Sequence, residues 1–388
     1  MAEATKEAIR RFGAIRSELA AAFLEREEVV EGLLCALVAG QHVLLLGPPG
    51  TAKSELAQEL CSRIEGAEHF QWLLTRFTTP EELFGPVSLR GLEQDRYVRI
   101  TAGKLPRAHI AFLDEVFKAS SSILNTLLAI LNERRFDGGD GGAEVPLLFL
   151  VGAANELPED EELAALYDRF LLRFEVDYLR EDFRFLQMLR APAKKARART
   201  TVDLEALARL REAAARVAIP DPILRDVAKL RALLAEKDVI PSDRRFRQSL
   251  DLLRARAALA GRSEVVTKDL GLLAHVLWHE PGDRAQVEEA LRLLAHGHED
   301  EADRLLFQAR EIAEGARGPH LDEDEADRAA VEALAKLHDL AQRVDAIASE
   351  ADREGRVLGR VREVRDEIRG MVDALLAEDP TDERESRH

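Results

Sequence analysis

The sequence predicts a doubly wound α/β domain with a parallel sheet core, followed by two regions that are entirely helical. Two observations support this prediction. Short apolar runs alternate with helical stretches up to about residue 178, and beyond residue 180 the strand signals give way to helical periodicity. Strands that alternate with helices favour a parallel sheet with helices on both faces.

Five apolar runs have the length and composition of buried parallel strands. They occupy residues 42–46, 70–74, 109–113, 147–151 and 171–176. Helical patterns lie between them, for example at 54–64 and 121–132. The α/β domain is therefore predicted from the alternation of strand and helix patterns along this part of the chain.

An insert interrupts this alternation between residues 78 and 104. Two short apolar runs, 87–89 and 97–100, lie on either side of a polar tip at Gln94 and Asp95. Two short strands around a polar turn are typical of a β-hairpin. We therefore expect a hairpin insert within the α/β domain.

The second half of the chain shows helical periodicity, with a boundary at 281–283. The predicted helices occupy 204–217, 222–236, 245–260 and 267–277 before the boundary, and 285–313, 325–349 and 354–376 after it. Apolar residues at 3-4 spacing in the last two, including Leu337, Val344 and Val364, predict a seam for antiparallel helix packing. We expect three domains, at 1–190, 191–283 and 284–388.

Composition restricts the classes of function. The net charge of −17 argues against nucleic acid as a partner, because such binding sets Lys and Arg against phosphate. No stretch of about 18 apolar residues occurs, so we expect no membrane span. Cys35 and Cys61 are the only cysteines and form no CxxC pair, which argues against a zinc–cysteine site. We expect a cytoplasmic protein.

The strongest motif lies between the first predicted strand and the helix that follows it. It comprises Gly47, Pro48, Pro49, Gly50, Thr51, Ala52, Lys53 and Ser54. Phosphate needs inward backbone N–H groups, a helix N-terminus, a cation and a hydroxyl for its Mg²⁺. Lys53 would reach the β- and γ-phosphates, and Ser54 would ligate Mg²⁺. Ala52 stands where the usual pattern has glycine, and we expect its methyl group to be tolerated beside the helix.

A second motif follows the strand predicted at 109–113. It places Asp114 and Glu115 at the carboxyl edge of the sheet, where α/β proteins bind their ligands. Asp114 would hold Mg²⁺, partly through water, and Glu115 would orient or deprotonate the attacking water. The two motifs together predict Mg²⁺-dependent hydrolysis of a nucleoside triphosphate.

In order and spacing, these two motifs make the chain resemble the AAA+ ATPases. The resemblance implies ATP as the nucleotide and Asn155, after the fourth predicted strand, as the sensor-1 residue that hydrogen-bonds the attacking water or the γ-phosphate. It also implies an arginine finger that acts on the neighbouring subunit's nucleotide, with Arg169 as the first candidate and Arg173 as the alternative. A sensor-2 arginine would reach the γ-phosphate of its own subunit, with Arg244 as the candidate and Arg245 as the alternative.

Finer features resemble the MoxR branch of this superfamily, and within it the RavA (regulatory ATPase variant A) type. They lie at residues 75–86, 117–119, 123–128 and 155–158. The resemblance implies a hexameric ring with nucleotide at the subunit interfaces. It also implies chaperone-like remodelling or maturation of proteins with a partner that carries a von Willebrand factor A domain. The β-rich domain inserted in the helical region of RavA-type chains has no counterpart here, because helical patterns continue across 285–376.

Two other functions remain open from the sequence. The chain could be a nucleotide-gated scaffold in which hydrolysis is incidental, although a pure binder has no need of Glu115, Asn155 and Arg169. It could also be a nucleic-acid motor, since other AAA+ rings with this insert act on DNA, although the net charge of −17 disfavours this.

Overall fold

Five strands form one parallel sheet in the computed structural model, which describes residues 3–139, 142–158, 161–190, 199–316, 323–353 and 359–377. The strands are β1 (His42–Leu46), β2 (His69–Leu73), β3 (Ile110–Asp114), β4 (Phe149–Ala154) and β5 (Phe170–Glu175), in the spatial order β2-β3-β4-β1-β5. The predicted parallel α/β core is confirmed. The strand ends differ from the predicted ones by at most three residues, and the largest difference is at β4, whose pairing with β1 continues through Gly152 to Ala154.

Helices alternate with these strands along the chain. They are α1 (Glu3–Ala22), α2 (Glu27–Ala39), α3 (Lys53–Cys61), α4 (Pro80–Phe84), α5 (Leu89–Leu92), α6 (Ser121–Glu133), α7 (Glu161–Tyr167) and α8 (Asp182–Arg190). Two of them, α2 and α3, pack directly against the sheet. All five positions of β1 and all six of β4 are buried. Continuous burial is why these strands appear in the sequence as unbroken apolar runs.

The register of the strands defines two edges of the sheet. Leu46, the last residue of β1, lies opposite Ala154 of β4 and Glu175 of β5. His42, the first residue of β1, lies opposite Phe170 of β5. At about 3.3 Å per residue, roughly 13 Å separates these two ends of β1. Loops after β1, β3 and β4 therefore meet at the carboxyl edge, and the turn before β5 lies at the amino edge.

The insert after residue 78 is only partly the predicted hairpin. Val87 and Arg99 form a single antiparallel bridge, where two short strands were expected. Leu89 begins α5 instead of extending a strand, and the Oγ of Ser88 accepts a hydrogen bond from the Gly91 N–H at 3.2 Å. A serine cap of this kind competes with ladder pairing. The hairpin is therefore reduced to one bridge closed by a helical turn.

The predicted lid helices form after residue 203. They are α9 (Leu204–Ala215), α10 (Asp221–Ala235), α11 (Asp243–Leu259) and a 3₁₀ helix at Thr267–His275, with ends within two residues of the predicted ones. Arg256 of α11 pairs with Glu31 of α2 at 2.8 Å. Buried Asp269 accepts from two nitrogens of Arg262 at 2.6 and 2.7 Å. These ion pairs attach the lid helices to α2 and fix the 3₁₀ helix beside α11.

The chain divides into two compact units, Met1–Glu288 and Glu289–His388. The second unit contains most of α12 (Arg284–Ala316), together with α13 (Glu323–Arg353) and α14 (Gly359–Ala377). Leu337, Val344 and Val364 are fully buried in its core, as the predicted seam requires. The predicted start of the last helix, at 354, lies outside the described residues. No helix in the described ranges is both long enough and apolar enough to cross a membrane.

Candidate active site

The loop after β1 closes around its own lysine. Lys53 begins α3 and is 6% exposed, and its Nζ donates to the carbonyl oxygens of Gly47 at 2.6 Å and Pro48 at 2.8 Å. Burial lowers the pKa of Lys53, and the carboxylates of Asp114 and Glu115 oppose that effect. In a loop of this type with nucleotide bound, phosphate oxygens would accept the ammonium hydrogens that these two carbonyl oxygens accept here.

The backbone of this loop adopts conformations with positive φ. Gly47 has φ of 150°, and a Cβ there would lie 2.1 Å from the carbonyl oxygen of Val176. Gly50 has φ of 82°. Ala52, the residue before α3, has φ of 63° and ψ of 22°, which is left-handed. This conformation costs a non-glycine residue about 1–2 kcal/mol. The methyl group of Ala52 is accommodated, but in a strained backbone.

The two residues predicted to hold Mg²⁺ are in contact. Ser54 Oγ donates to Asp114 Oδ2 at 3.1 Å, and Asp114 Oδ1 accepts from the Glu115 N–H at 3.0 Å. Hydroxyl and carboxylate oxygens are ligands that Mg²⁺ uses together with phosphate oxygens and water. A side chain from the phosphate loop and one from the end of β3 therefore form a donor set that fits this ion.

Glu115 is oriented by two neighbours at the same edge. Its Oε1 accepts from Asn155 Nδ2 at 2.5 Å, and its Oε2 lies 3.6 Å from Lys118 Nζ. Glu115 has φ of 53° and ψ of 45°, a second left-handed non-glycine residue. Strained backbone of this kind concentrates at functional sites. The structure thus brings Glu115 and Asn155 together at the carboxyl edge, where the phosphate loop also lies.

Arg169 lies at the amino edge, in the turn between α7 and β5. Its Nη1 is 3.9 Å from Asp168 Oδ2, and its side chain is 22% exposed. Its Nε and Nη1 are shielded from solvent and donate no hydrogen bond within the described part of the chain. A buried donor without a partner costs about 1–3 kcal/mol. Among the described residues, the guanidinium of Arg169 is therefore held only by a long ion pair with Asp168, and the side chain remains partly exposed.

Arg173, the alternative finger, is enclosed within its own chain. It is 1% exposed, its Nη1 donates to the carbonyl oxygen of Trp278 at 2.6 Å, and its guanidinium carbon lies 3.7 Å from the centre of the Tyr167 ring. Burial lowers its pKa to about 9. A side chain held in this way does not face a neighbouring subunit, which favours Arg169 over Arg173.

The two sensor-2 candidates also differ in burial. Arg244 Nη2 donates to Asp168 Oδ2 at 2.6 Å and to the Asp168 carbonyl oxygen at 3.1 Å. Arg245 is 4% exposed, and its Nη2 donates to the carbonyl oxygens of Leu171 and Val276, both at 2.6 Å. Arg245 therefore ties α11 to β5, and Arg244 is the better candidate.

The position of Arg244 differs from the expectation that it reaches the phosphate of its own subunit. Its partner Asp168 precedes Phe170, which lies opposite His42 at the amino edge. The phosphate loop begins after Leu46, roughly 13 Å away along β1. Arg244 thus lies beside the finger candidate and not at the phosphate loop of its own chain. The packing of α11 on β5, which no sequence motif reports, causes this difference.

Asp168 is a residue that sequence reasoning missed. Its carboxylate lies 2.6 Å from Arg244, 3.4 Å from Arg245 and 3.9 Å from Arg169. The only sequence signal was its place directly before Arg169. Three guanidinium groups around one carboxylate arise from two segments that are distant in sequence, so only the folded chain shows them.

Comparisons with known proteins identify related families. Residues 10–212 match the family described as "MoxR domain in the MoxR-vWA-beta-propeller ternary systems", and residues 222–291 match an AAA lid domain. Two uncharacterized proteins of Methanocaldococcus jannaschii are 44% and 43% identical over 270 residues, which is 69% of this chain and 72% and 70% of theirs. The chaperone MoxR1 of Mycobacterium tuberculosis is 28% identical over 66% of this chain and 71% of its own.

The fold is also similar to the crystal structure of a proposed ATPase from Cytophaga hutchinsonii. The TM-score is 0.60 at 16% identity, and the match covers 75% of this chain and 96% of that one. Identity this low supports the fold alone. The match to the MoxR domain covers more than half of the chain and contains the phosphate loop, Asp114, Glu115, Asn155 and Arg169. This chain therefore belongs to the MoxR family of AAA+ ATPases.

Proposed function

We propose that this protein forms a ring of six subunits and hydrolyses ATP with Mg²⁺ at sites shared between neighbouring subunits. It uses the reaction to remodel or mature partner proteins. One observation carries the proposal. The phosphate loop, Glu115 and Asn155 lie at the carboxyl edge of the sheet, whereas Arg169 and Arg244 lie at the amino edge. One subunit therefore supplies the loop and the next supplies the arginines.

The residues of the loop would hold the triphosphate. They are Gly47, Pro48, Pro49, Gly50, Thr51, Ala52, Lys53 and Ser54. Lys53 would exchange its contacts with two carbonyl oxygens for contacts with phosphate oxygens. Ser54 and Asp114 would hold Mg²⁺, which when bound offsets the charge of the β- and γ-phosphates. The contact between Ser54 and Asp114 supports this assignment, because it brings both oxygen donors together.

Glu115 would take the proton of the attacking water, and Asn155 would hold the glutamate and the water in place. A glutamine at 115 keeps an oxygen for the Asn155 amide but does not accept a proton. We expect Glu115→Gln to lower ATP turnover by roughly 10²–10⁴-fold while nucleotide affinity changes little. Turnover and nucleotide titration of wild type, Glu115→Gln and the exposed control Glu133→Gln would measure this.

Equal, slow turnover in wild type and Glu115→Gln would instead favour the nucleotide-gated scaffold. In that function ATP sets the shape of the ring and the hydrolytic residues are unused. The oriented pair of Glu115 and Asn155 argues for hydrolysis, because a scaffold gains nothing from a carboxylate held in a strained left-handed conformation.

Arg169 would stabilise the transition-state charge on the neighbouring subunit's nucleotide. An arginine finger contributes about 10³–10⁵ in rate in well-studied nucleotidases. We expect Arg169→Ala to assemble as wild type does and to lose turnover on that scale, whereas the exposed control Arg216→Ala keeps it. Mass and turnover are measured together, with and without ATP and Mg²⁺. A monomeric wild type with full turnover at every concentration would contradict the shared site.

The proposed partner is a protein with a von Willebrand factor A domain. The family description names such a component in its systems, and the RavA-type resemblance points to the same class. The three-helix unit is the proposed partner-binding region, since its core of apolar residues is separate from that of the ATPase unit. Added von Willebrand-type protein should bind the full chain and change its ATP turnover; an unchanged turnover and no binding would exclude this partner class.

A further inference from the structure

Asp168 occupies the junction between the ATPase core and the lid. It follows α7, where its N–H donates to the carbonyl oxygen of Ala164 at 3.0 Å, and it precedes β5 by two residues. Arg244 of α11 donates to it twice, once to the carboxylate at 2.6 Å and once to the backbone carbonyl at 3.1 Å. Asp168 is thus the residue through which the lid arginine is attached beside the core arginine Arg169.

The charges around Asp168 are unbalanced. Arg169, Arg244 and Arg245 all approach its single carboxylate. Arg245 is already engaged by carbonyl oxygens of β5 and the 3₁₀ helix region, so its position does not depend on Asp168 alone. Arg169 and Arg244 are less buried, with side chains 22% and 39% exposed. Two like charges side by side repel unless an anion lies between them, and Asp168 is the anion that holds them together.

Arg169 also keeps donors unused. Its Nε and Nη1 are shielded and bond to nothing in the described residues, although a carboxylate lies 3.9 Å away. An arginine fork that satisfied Asp168 fully would bind it with two nitrogens at hydrogen-bond distance. The carboxylate therefore holds Arg244 at hydrogen-bond distance and Arg169 only through a longer ion pair.

We propose that Asp168 is a positioning residue that holds Arg244 of the lid beside Arg169 of the core, so that both arginines reach one phosphate on the neighbouring subunit. This inference rests on the proposed shared site. Asp168 itself touches neither nucleotide nor water. Its removal weakens hydrolysis by misplacing the guanidinium of Arg244, and leaves the phosphate loop of its own subunit unchanged.

The first test is Asp168→Asn, which keeps the size of the side chain and removes its charge. We expect ATP turnover to fall roughly 10–100-fold, the range for loss of precise orientation, with KM near that of wild type because the loop is intact. Asp168→Glu should recover part of the turnover. Asp243 is an exposed aspartate next to Arg244 in the sequence and pairs with Arg231 at 3.2 Å. Asp243→Asn is therefore the matched control and should hydrolyse ATP as fast as wild type. Wild-type turnover in Asp168→Asn would overturn the inference.

A double-mutant cycle asks whether Asp168 acts through Arg244. If it does, Asp168→Asn should reduce turnover much less in an Arg244→Ala background than in wild type, since the arginine that it places is already absent. Additive losses from the two substitutions would overturn the inference. They would mean that the two residues affect turnover independently.

Mixing two inactive variants separates positioning from simple loss of the fold. Asp168→Asn subunits keep their own loop and Glu115, and Glu115→Gln subunits keep their arginines. Mixed rings should therefore hydrolyse ATP faster than either variant alone. A mixture of Arg169→Ala with Glu115→Gln serves as the reference. If turnover rises in the reference mixture but not in the mixture with Asp168→Asn, only the role of Asp168 is overturned. If turnover does not rise in the reference mixture, the shared site is overturned and this inference with it.

Discussion

Ala52 and Glu115 are two non-glycine residues of the site with left-handed backbone. Their φ angles are 63° and 53°. Each costs about 1–3 kcal/mol, and such costs persist where the surrounding structure imposes the conformation. At Glu115 the conformation turns the carboxylate towards Asn155. At Ala52 it turns the loop into α3, so the strain there serves the phosphate loop.

Replacing Ala52 by glycine should relieve this strain. Glycine adopts left-handed φ without penalty but loses about 0.5–1 kcal/mol through greater freedom of the unfolded chain. We expect Ala52→Gly to raise the free energy of unfolding by up to about 1 kcal/mol in urea denaturation. Ala208→Gly, on the exposed face of α9, should lower it by about 1 kcal/mol. Equal losses in both variants would show that position 52 is not strained.

Two central strands, β1 and β4, are connected by a buried histidine. His42 Nδ1 accepts from the Leu150 N–H at 3.1 Å, and Arg134 Nη1 lies 3.0 Å from its Nε2. Burial, and to a lesser extent the charge of Arg134, lowers the pKa of His42 to about 3. The imidazole is therefore neutral in the folded protein, and its protonation would remove the acceptor for Leu150 and place two cations in contact.

This lowered pKa predicts a loss of stability in acid. The unfolded histidine titrates near 6.5 and the folded one near 3, so between these values the unfolded chain binds one more proton. The free energy of unfolding should then fall by about 1.4 kcal/mol per pH unit from this residue as the pH decreases. His42→Asn keeps an acceptor for Leu150 but does not titrate. The free energy of unfolding of this variant, measured by urea denaturation, should change with pH less steeply than that of wild type by this amount. Identical slopes would contradict the prediction.

α12 begins in the first unit, which extends to Glu288. Arg284, its first residue, lies 3.7 Å from Glu175 and 3.9 Å from Glu28. Glu175 is opposite Leu46, the residue before the loop. Arg284 is thus attached to β5 and α2 by ion pairs within the first unit, and the second unit has its own buried core.

Removing the second unit should separate hydrolysis from partner binding. A chain ending at Glu288 retains Arg284 and every candidate site residue. We expect it to assemble and hydrolyse ATP like the full chain, and to lose binding of the partner protein. Native mass, turnover and binding measured on both chains would check this. Loss of the ring in the shortened chain would show that the three-helix unit is an assembly element.

The local sequence pattern was sufficient to predict much of the fold and the contiguous motifs of the site. The strands β1 to β5 are continuous apolar runs because both faces are buried, and the phosphate loop and the Asp114–Glu115 pair are contiguous residues whose spacing carries their chemistry. The insert was predicted less well. A serine cap at Ser88 converts a strand position into a helical turn, and a short apolar run does not distinguish these outcomes.

Contacts between distant segments were decided only by the tertiary structure. Arg173 and Arg169 are four residues apart, yet Tyr167 and Trp278 enclose the first, whereas the second stays partly exposed. Arg244 reaches Asp168 because α11 packs on β5, which moves it away from its own phosphate loop. Side-chain burial and charge pairing depend on which elements meet in space, and periodicity along one segment contains no information about its packing partner.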